Sequence, residues 1–243
     1  MRSPSRLGPF FLLSVFACGS GPAALPDAGA THADAGAALV APPRRDDAGA
    51  PLERFVTSVI SFTPGDCAGF GIPSMPDVVY GPPQGAGDRM GSLDVVSLGH
   101  GGSIVLGFAP RAIVDGPGPD FIVFENAFWV AGDPQNPFAE PGEVSVSEDG
   151  VTWKTWPCTA TKPPFGACSG WHPVYADPTT NGISPFDVAR AGGEAYDLAD
   201  VGLARARYVR VRDVGAMECP ADPSQRTTNL GYDLDAIAIV NAE

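Results

Sequence analysis

From Val56 onward, short apolar runs of four to seven residues alternate with turns rich in Gly and Pro. Val56-Thr57-Ser58-Val59-Ile60-Ser61-Phe62 opens the series, and a Gly/Pro-rich stretch follows through Gly91. Ser103-Ile104-Val105-Leu106-Gly107-Phe108 is the next run, and Gly116-Pro117-Gly118-Pro119 hands over to Asp120-Phe121-Ile122-Val123-Phe124-Glu125. Glu143 to Ser147 alternates cleanly, which predicts a strand with Val144 and Val146 facing a core. Glu148-Asp149-Gly150 has the Asp-Gly pair that a tight hairpin turn favours, because Gly adopts positive φ without penalty. The return strand is Val151 to Trp156, with Val151, Trp153 and Thr155 on one face. In Ala206 to Arg212 the same alternation turns Val209 and Val211 inward and Tyr208, Arg210 and Arg212 outward, and Leu234 to Asn241 closes the series. Helical periodicity is confined to two short stretches, Asp187–Gly192 and Asp197–Val201. Many short strands between turn signals predict an all-β antiparallel β-sandwich of about eight strands with long loops, as a jelly roll.

The first 52 residues follow a different pattern. Arg2 and Arg6 precede a short apolar run, Phe10 to Phe16, too short to span a bilayer. This is the layout of a secretory signal, and Val15-Phe16-Ala17-Cys18 resembles a bacterial lipoprotein lipobox. The resemblance implies cleavage before Cys18 and acylation of its thiol, with each buried methylene contributing about 0.8 kcal/mol to membrane anchoring. Gly19 in place of Asp, by similarity to enterobacterial lipoproteins, implies sorting to the outer membrane and the cell surface. Residues 19 to 52 contain no aromatic residue and three copies of Asp-Ala-Gly-Ala, at 27–30, 34–37 and 47–50. So little apolar surface cannot offset the entropy of ordering, which predicts a disordered tether. The expected organisation is a signal peptide over 1–17, a lipid-anchored linker over 18–52 and a single β-sandwich domain over 53–243.

The formal charge is −13, and loss of 1–17 removes Arg2 and Arg6 but no acid. An acidic surface disfavours nucleic acid as a partner and attracts divalent cations. Of five cysteines, Cys18 is assigned to the anchor, leaving Cys67, Cys158, Cys168 and Cys219. Four cysteines allow three pairings. Cys158 and Cys168 flank a Pro/Gly loop suited to a local staple, which leaves Cys67 for Cys219. Zinc is not expected, since there is no CxxC and the three histidines are scattered.

Ser145-Val146-Ser147-Glu148-Asp149-Gly150-Val151-Thr152-Trp153 resembles the S-x-D-G-x-x-W hairpin of discoidin-type domains, and Ala206-Arg207-Tyr208-Val209-Arg210-Val211 resembles the strand that follows it there. Those domains belong to the galactose-binding-like jelly rolls. The hairpin is also similar to the Asp-box of sialidases, but a single copy does not build a propeller. Ser97 to Gly102, Gly118 to Asn126 and Gly231-Tyr232-Asp233-Leu234-Asp235-Ala236 resemble a group of poorly characterised bacterial cell-surface proteins. The galactose-binding-like resemblance implies a structural Ca2+ near the start of the last strand, with Asp235 the first candidate ligand, then Asp233 and Glu125. The alternative for these acids is pairing with Arg207, Arg210 or Arg212, or turn capping. It also implies that loop aromatics stack on sugar rings. Trp129, Trp171 and Tyr175 are the leading candidates, beside Phe128, Phe138, Phe165 and Phe186. The competing expectation is that such aromatics fold back as small satellite cores.

No nucleophile elbow, zinc-protease motif or phosphate loop is present, so catalysis is not expected. The expected function is a non-catalytic binding module for a glycan or another envelope or extracellular component. A structural or adhesive envelope protein is the alternative, and a glycoside hydrolase a distant one.

Overall fold

The computed structural model describes Leu39–Val40 and residues 54–243. Its strands form antiparallel sheets, and among the described residues the only helices are short 3-10 turns. The fold is the expected all-β sandwich. The larger sheet has six strands in the order Leu39–Val40, Ser58–Thr63, Ser103–Gly107, Tyr208–Asp213, Gly142–Ser147, Lys154–Trp156. Opposite it, Phe121–Phe124 is flanked by Glu194–Tyr196 and Ala236–Ile239. No described helix is long and apolar enough to cross a membrane.

The alternation read from the sequence decides which faces meet. Val144, Val146, Val209 and Val211 are fully buried, as are Ile104 and Leu106 on the neighbouring strand. They pack against Phe121, Val123, Ile237 and Ile239 of the three-stranded sheet. The other face of that sheet is buried too, because Ile122, Phe124 and Ala238 are covered by Val174, Ala176 and Ala191 from a long loop. A strand buried on both faces reads as a continuous apolar run, which is why Phe121–Phe124 shows no alternation.

Boundaries and one face differ from expectation. The return strand spans only Lys154–Trp156, Val151 is 81% exposed, and Trp156 is the buried aromatic. Trp153 lies on the outer face, where the Arg210 guanidinium sits 4.6 Å from its ring centre. The closing stretch is two strands, Asp233–Leu234 and Ala236–Ile239, broken at Asp235. Within the segment expected to be a tether, Leu39 and Val40 pair with Val59 and Ser58. The expected signal peptide, Cys18 and the remainder of 18–52 lie outside the described residues.

Both expected disulfides form. Cys158–Cys168 closes a local loop, and Cys67–Cys219 joins positions 152 residues apart. On loop-closure entropy the second restricts the unfolded chain more, by about 5 kcal/mol against about 3.

Candidate functional site

One end of the sandwich gathers the acidic residues. Glu125 leaves the central strand Phe121–Phe124, Asp233 begins the strand that pairs with Val96–Ser97, and Glu140 lies two residues before the strand Gly142–Ser147. All three are buried, at 2%, 6% and 4% exposure. Glu125 Oε1 accepts the Asp233 backbone N–H at 3.3 Å, while its Oε2 has no partner. Asp233 accepts from Ser97 Oγ and, at 3.2 Å, from Asn126 Nδ2. The Asn126 Oδ1 atom is likewise buried and unpartnered. Among the described residues no Lys, Arg or His forms an ion pair with Glu125, Glu140 or Asp233.

Burial, first, and then the charge of Asp233 push Glu140 up to about 9, against a backbone bond from Gly231 that pulls the other way. Glu125 is raised well above the carboxylate range by burial and then by Asp233, Glu140 and Glu194. Asp233 is raised by burial alone, opposed by its bonds from Ser97 and Asn126. These neighbouring carboxyls have been removed from water, and such groups hold a proton or bind a metal. Tyr232 lies alongside, its ring seated against Gly142, where an added Cβ would come within 2.3 Å of the ring.

Asp235, the first expected ligand, does not join this cluster. The break at Asp235 turns it toward the backbone N–H of Gln84, which it accepts at 3.1 Å, and toward Asp94 and Asp177. Asp233 and Asp235, both expected ligands of one ion, therefore lie in different surroundings. Glu140 takes its place in the cluster. Sequence reasoning missed Glu140 because it sits between Ala139 and Pro141, with no periodicity to mark it.

Other acidic groups are occupied by protein donors. Glu194 accepts from Ser169 Oγ (3.1 Å) and from the backbone N–H of Gly170, Trp171 and His172 (2.9, 3.0 and 2.8 Å). Asp115, Asp120 and Asp197 place carboxylate oxygens within 4.8 Å of one another. Asp120, however, takes bonds from Gly116 N, Leu198 N and Asn241 Nδ2, and Asp197 caps the turn Leu198–Val201 through Ala199 N. That triad organises loops with its own hydrogen bonds.

The three expected ligand aromatics divide between two places. Trp129 and Tyr175 are both half-buried and both meet the segment 85–88. Asp88 O accepts the Trp129 backbone N–H at 2.9 Å, and Val174 and Ala176, on either side of Tyr175, accept from Gly87 and Gly85. The Tyr175 phenol is raised by burial and then by the Asp88 charge. The Asp88 side chain is 40% exposed and lies 4.0 Å from the Arg89 guanidinium. Trp171 instead borders an open cleft of about 370 Å³ with Trp156, His172, Glu194, Tyr196 and Asp200. Its indole N–H donates to Cys168 O at 3.0 Å, and its ring packs against His172 and Phe165. Phe128 and Phe138 stack on each other at 5.0 Å, and Phe186 lies against Phe55 and under Arg54, as satellite packing predicts.

Neither a family model nor a curated protein matches this sequence.

Proposed function

We propose that this chain is a surface-tethered, non-catalytic binding module for a glycan or another envelope or extracellular component. The observation that carries the reading is that two half-buried aromatics, Trp129 and Tyr175, lie on backbone segments that both bond to the segment 85–88. An aromatic face packs on sugar C–H groups, and an exposed carboxylate accepts sugar hydroxyls. In the same reading Glu125 and Asp233, which meet through the Asp233 N–H, with the Asn126 amide oxygen, hold a divalent cation. Calcium suits them, being a hard ion that takes carboxylate and amide oxygens. The unpartnered, buried Glu125 Oε2 supports this fit. Acylation at Cys18 keeps the module at the outer membrane.

The adhesive alternative draws support from exposed apolar side chains on the same loops, Met90 at 63% and Leu93 at 83%. The deciding experiment is glycan-array binding by the purified full chain, alongside Trp129→Ala and Tyr175→Ala. Binding that falls at least tenfold in both variants upholds the glycan reading. Absence of array binding, with capture of envelope protein that Leu93→Asp abolishes, replaces it with adhesion. Loss of palmitate labelling in Cys18→Ser tests the anchor separately.

A further inference from the structure

The cleft beside Trp171 has a volume of about 370 Å³, within the range of small-molecule sites, roughly 300–1,000 Å³. Its walls are fixed by the fold. Cys168, joined to Cys158, stands in the lining, and its carbonyl accepts the Trp171 indole N–H at 3.0 Å. Tyr196 donates its hydroxyl to Ala167 O at 3.2 Å. Trp156 also lines the cleft; it is 5% exposed, and its indole N–H is buried without an acceptor. A buried donor in this state is costly to the fold, and a ligand oxygen that reaches it removes the cost.

His172 is the second polar group of the cleft. Its side chain is 45% exposed, while its backbone N–H and Nδ1 meet Glu194 Oε1 at 2.8 and 3.2 Å. Glu194 also accepts from Ser169 Oγ, Gly170 N and Trp171 N, so toward His172 it is an acceptor and Nδ1 carries the shared proton. Nε2 of the neutral ring is then a lone-pair acceptor whose direction Glu194 fixes. Exposed Asp200 adds a further acceptor. Among the described residues no Lys or Arg lines the cleft.

We infer that this cleft is a second saccharide subsite, selective for a neutral hexose. A sugar hydroxyl is donor and acceptor at once, which matches one waiting N–H on Trp156 and acceptors on His172 and Asp200. Trp171 supplies aromatic surface for the C–H face of the ring. Two carboxylates and no fixed cation repel an acidic sugar. The inference rests on reading the chain as a glycan-binding module and deepens it by naming the sugar class. Its contacts are side chains other than Trp129 and Tyr175, so the two sites fail separately.

The test is NMR of the indole N–H groups in the isotope-labelled full chain, titrated with glucose, galactose, mannose or glucuronic acid. Wild type is compared with His172→Ala, Trp171→Ala and Trp129→Ala. The expected result is a downfield shift of the Trp156 indole N–H with a neutral hexose and none with glucuronic acid. Affinity falls roughly tenfold or more in His172→Ala and Trp171→Ala, the loss of one good contact, whereas Trp129→Ala keeps the Trp156 shift. Either cleft variant suffices should the other fail to fold. Glucuronic acid that moves the signal as far as the neutral sugars overturns the selectivity. Array binding that depends on Trp129, with the Trp156 signal unmoved by every sugar, overturns the cleft subsite and leaves the glycan reading standing. Neither array binding nor a Trp156 shift overturns both.

Discussion

Glu194 and Glu125 occupy the ends of paired strands, both nearly buried, and they are treated in opposite ways. Glu194 lies opposite Val123 in the register, and Glu125 lies two residues beyond Val123. Three consecutive backbone N–H groups and a serine hydroxyl converge on Glu194, so its charge is solvated by the loop 169–172. Glu125 receives the Asp233 backbone N–H at 3.3 Å and a backbone bond from Asn126, leaves its Oε2 without a partner, and feels the charges of Asp233, Glu140 and Glu194. A buried carboxylate with a full set of donors is a structural post. One with too few, among its own kind, is a receptor for a proton or a metal.

The largest expected effect comes from removing the post. Glu194→Ala strips the acceptor from three backbone N–H groups and should cost about 3–5 kcal/mol, lowering Tm by roughly 10–15 °C. Thermal denaturation with and without Ca2+ should show the same drop in both. A loss that Ca2+ repairs would mean Glu194 belongs to the cation cluster and the contrast is wrong.

Next in size is the metal itself. At one hundred times its Kd, a ligand specific for the folded state adds about 2.7 kcal/mol, so Ca2+ should raise Tm by about 5–10 °C. Glu125→Gln should erase that gain while leaving Tm in chelator within about 2 °C of wild type, because the neutral amide mimics the protonated acid. A large drop in chelator would show that Glu125 carries structural weight like Glu194.

A smaller, graded effect is the pH dependence of the cation-free protein. The Glu140 carboxyl is raised from 4.5 in the unfolded chain to about 9 in the fold, so folding takes up a proton between these values. Stability in chelator is therefore greatest below about pH 4.5 and is lost steadily as pH rises toward 9. Denaturant titrations at pH 5 and pH 8 should show it, with Ca2+ flattening the difference. Stability that rises across this window would refute the crowding of carboxylates.

The smallest effect tests a third carboxylate. Asp149 is fully exposed and held low, at about 2, by backbone bonds from Thr152 and Val151 and by the Ser147 hydroxyl. Its contribution is present above the unfolded carboxylate range and is lost as pH falls through about 2. Asp149→Ala should speed amide exchange at Val151 and Thr152 a few-fold without touching the Ca2+ response. A changed Ca2+ response would show that this hairpin is coupled to the cation site.

Local rules explain what was legible beforehand. The Asp149-Gly150 turn, the inward Val144, Val146, Val209 and Val211, and the apolar strand Phe121–Phe124 are all set by residues close in the chain. The disulfide partners followed from an even cysteine count and one evident local loop. The site was read in part. Glu125 and Asp233 do meet, whereas Asp235 turns away at a break that alternation does not signal, and Trp171 parts from Trp129 and Tyr175. Glu140, Asn126 and Asp88 were not singled out as site residues, since each acts only through partners distant in the sequence.

Sequence alone thus determined the fold class, the faces of the main strands and the hairpin turn, because period-two alternation and turn chemistry act over a few residues. Only the tertiary structure decided which buried acids are furnished with donors and which are left short. That outcome depends on where segments distant in the sequence converge, and no local pattern encodes the convergence.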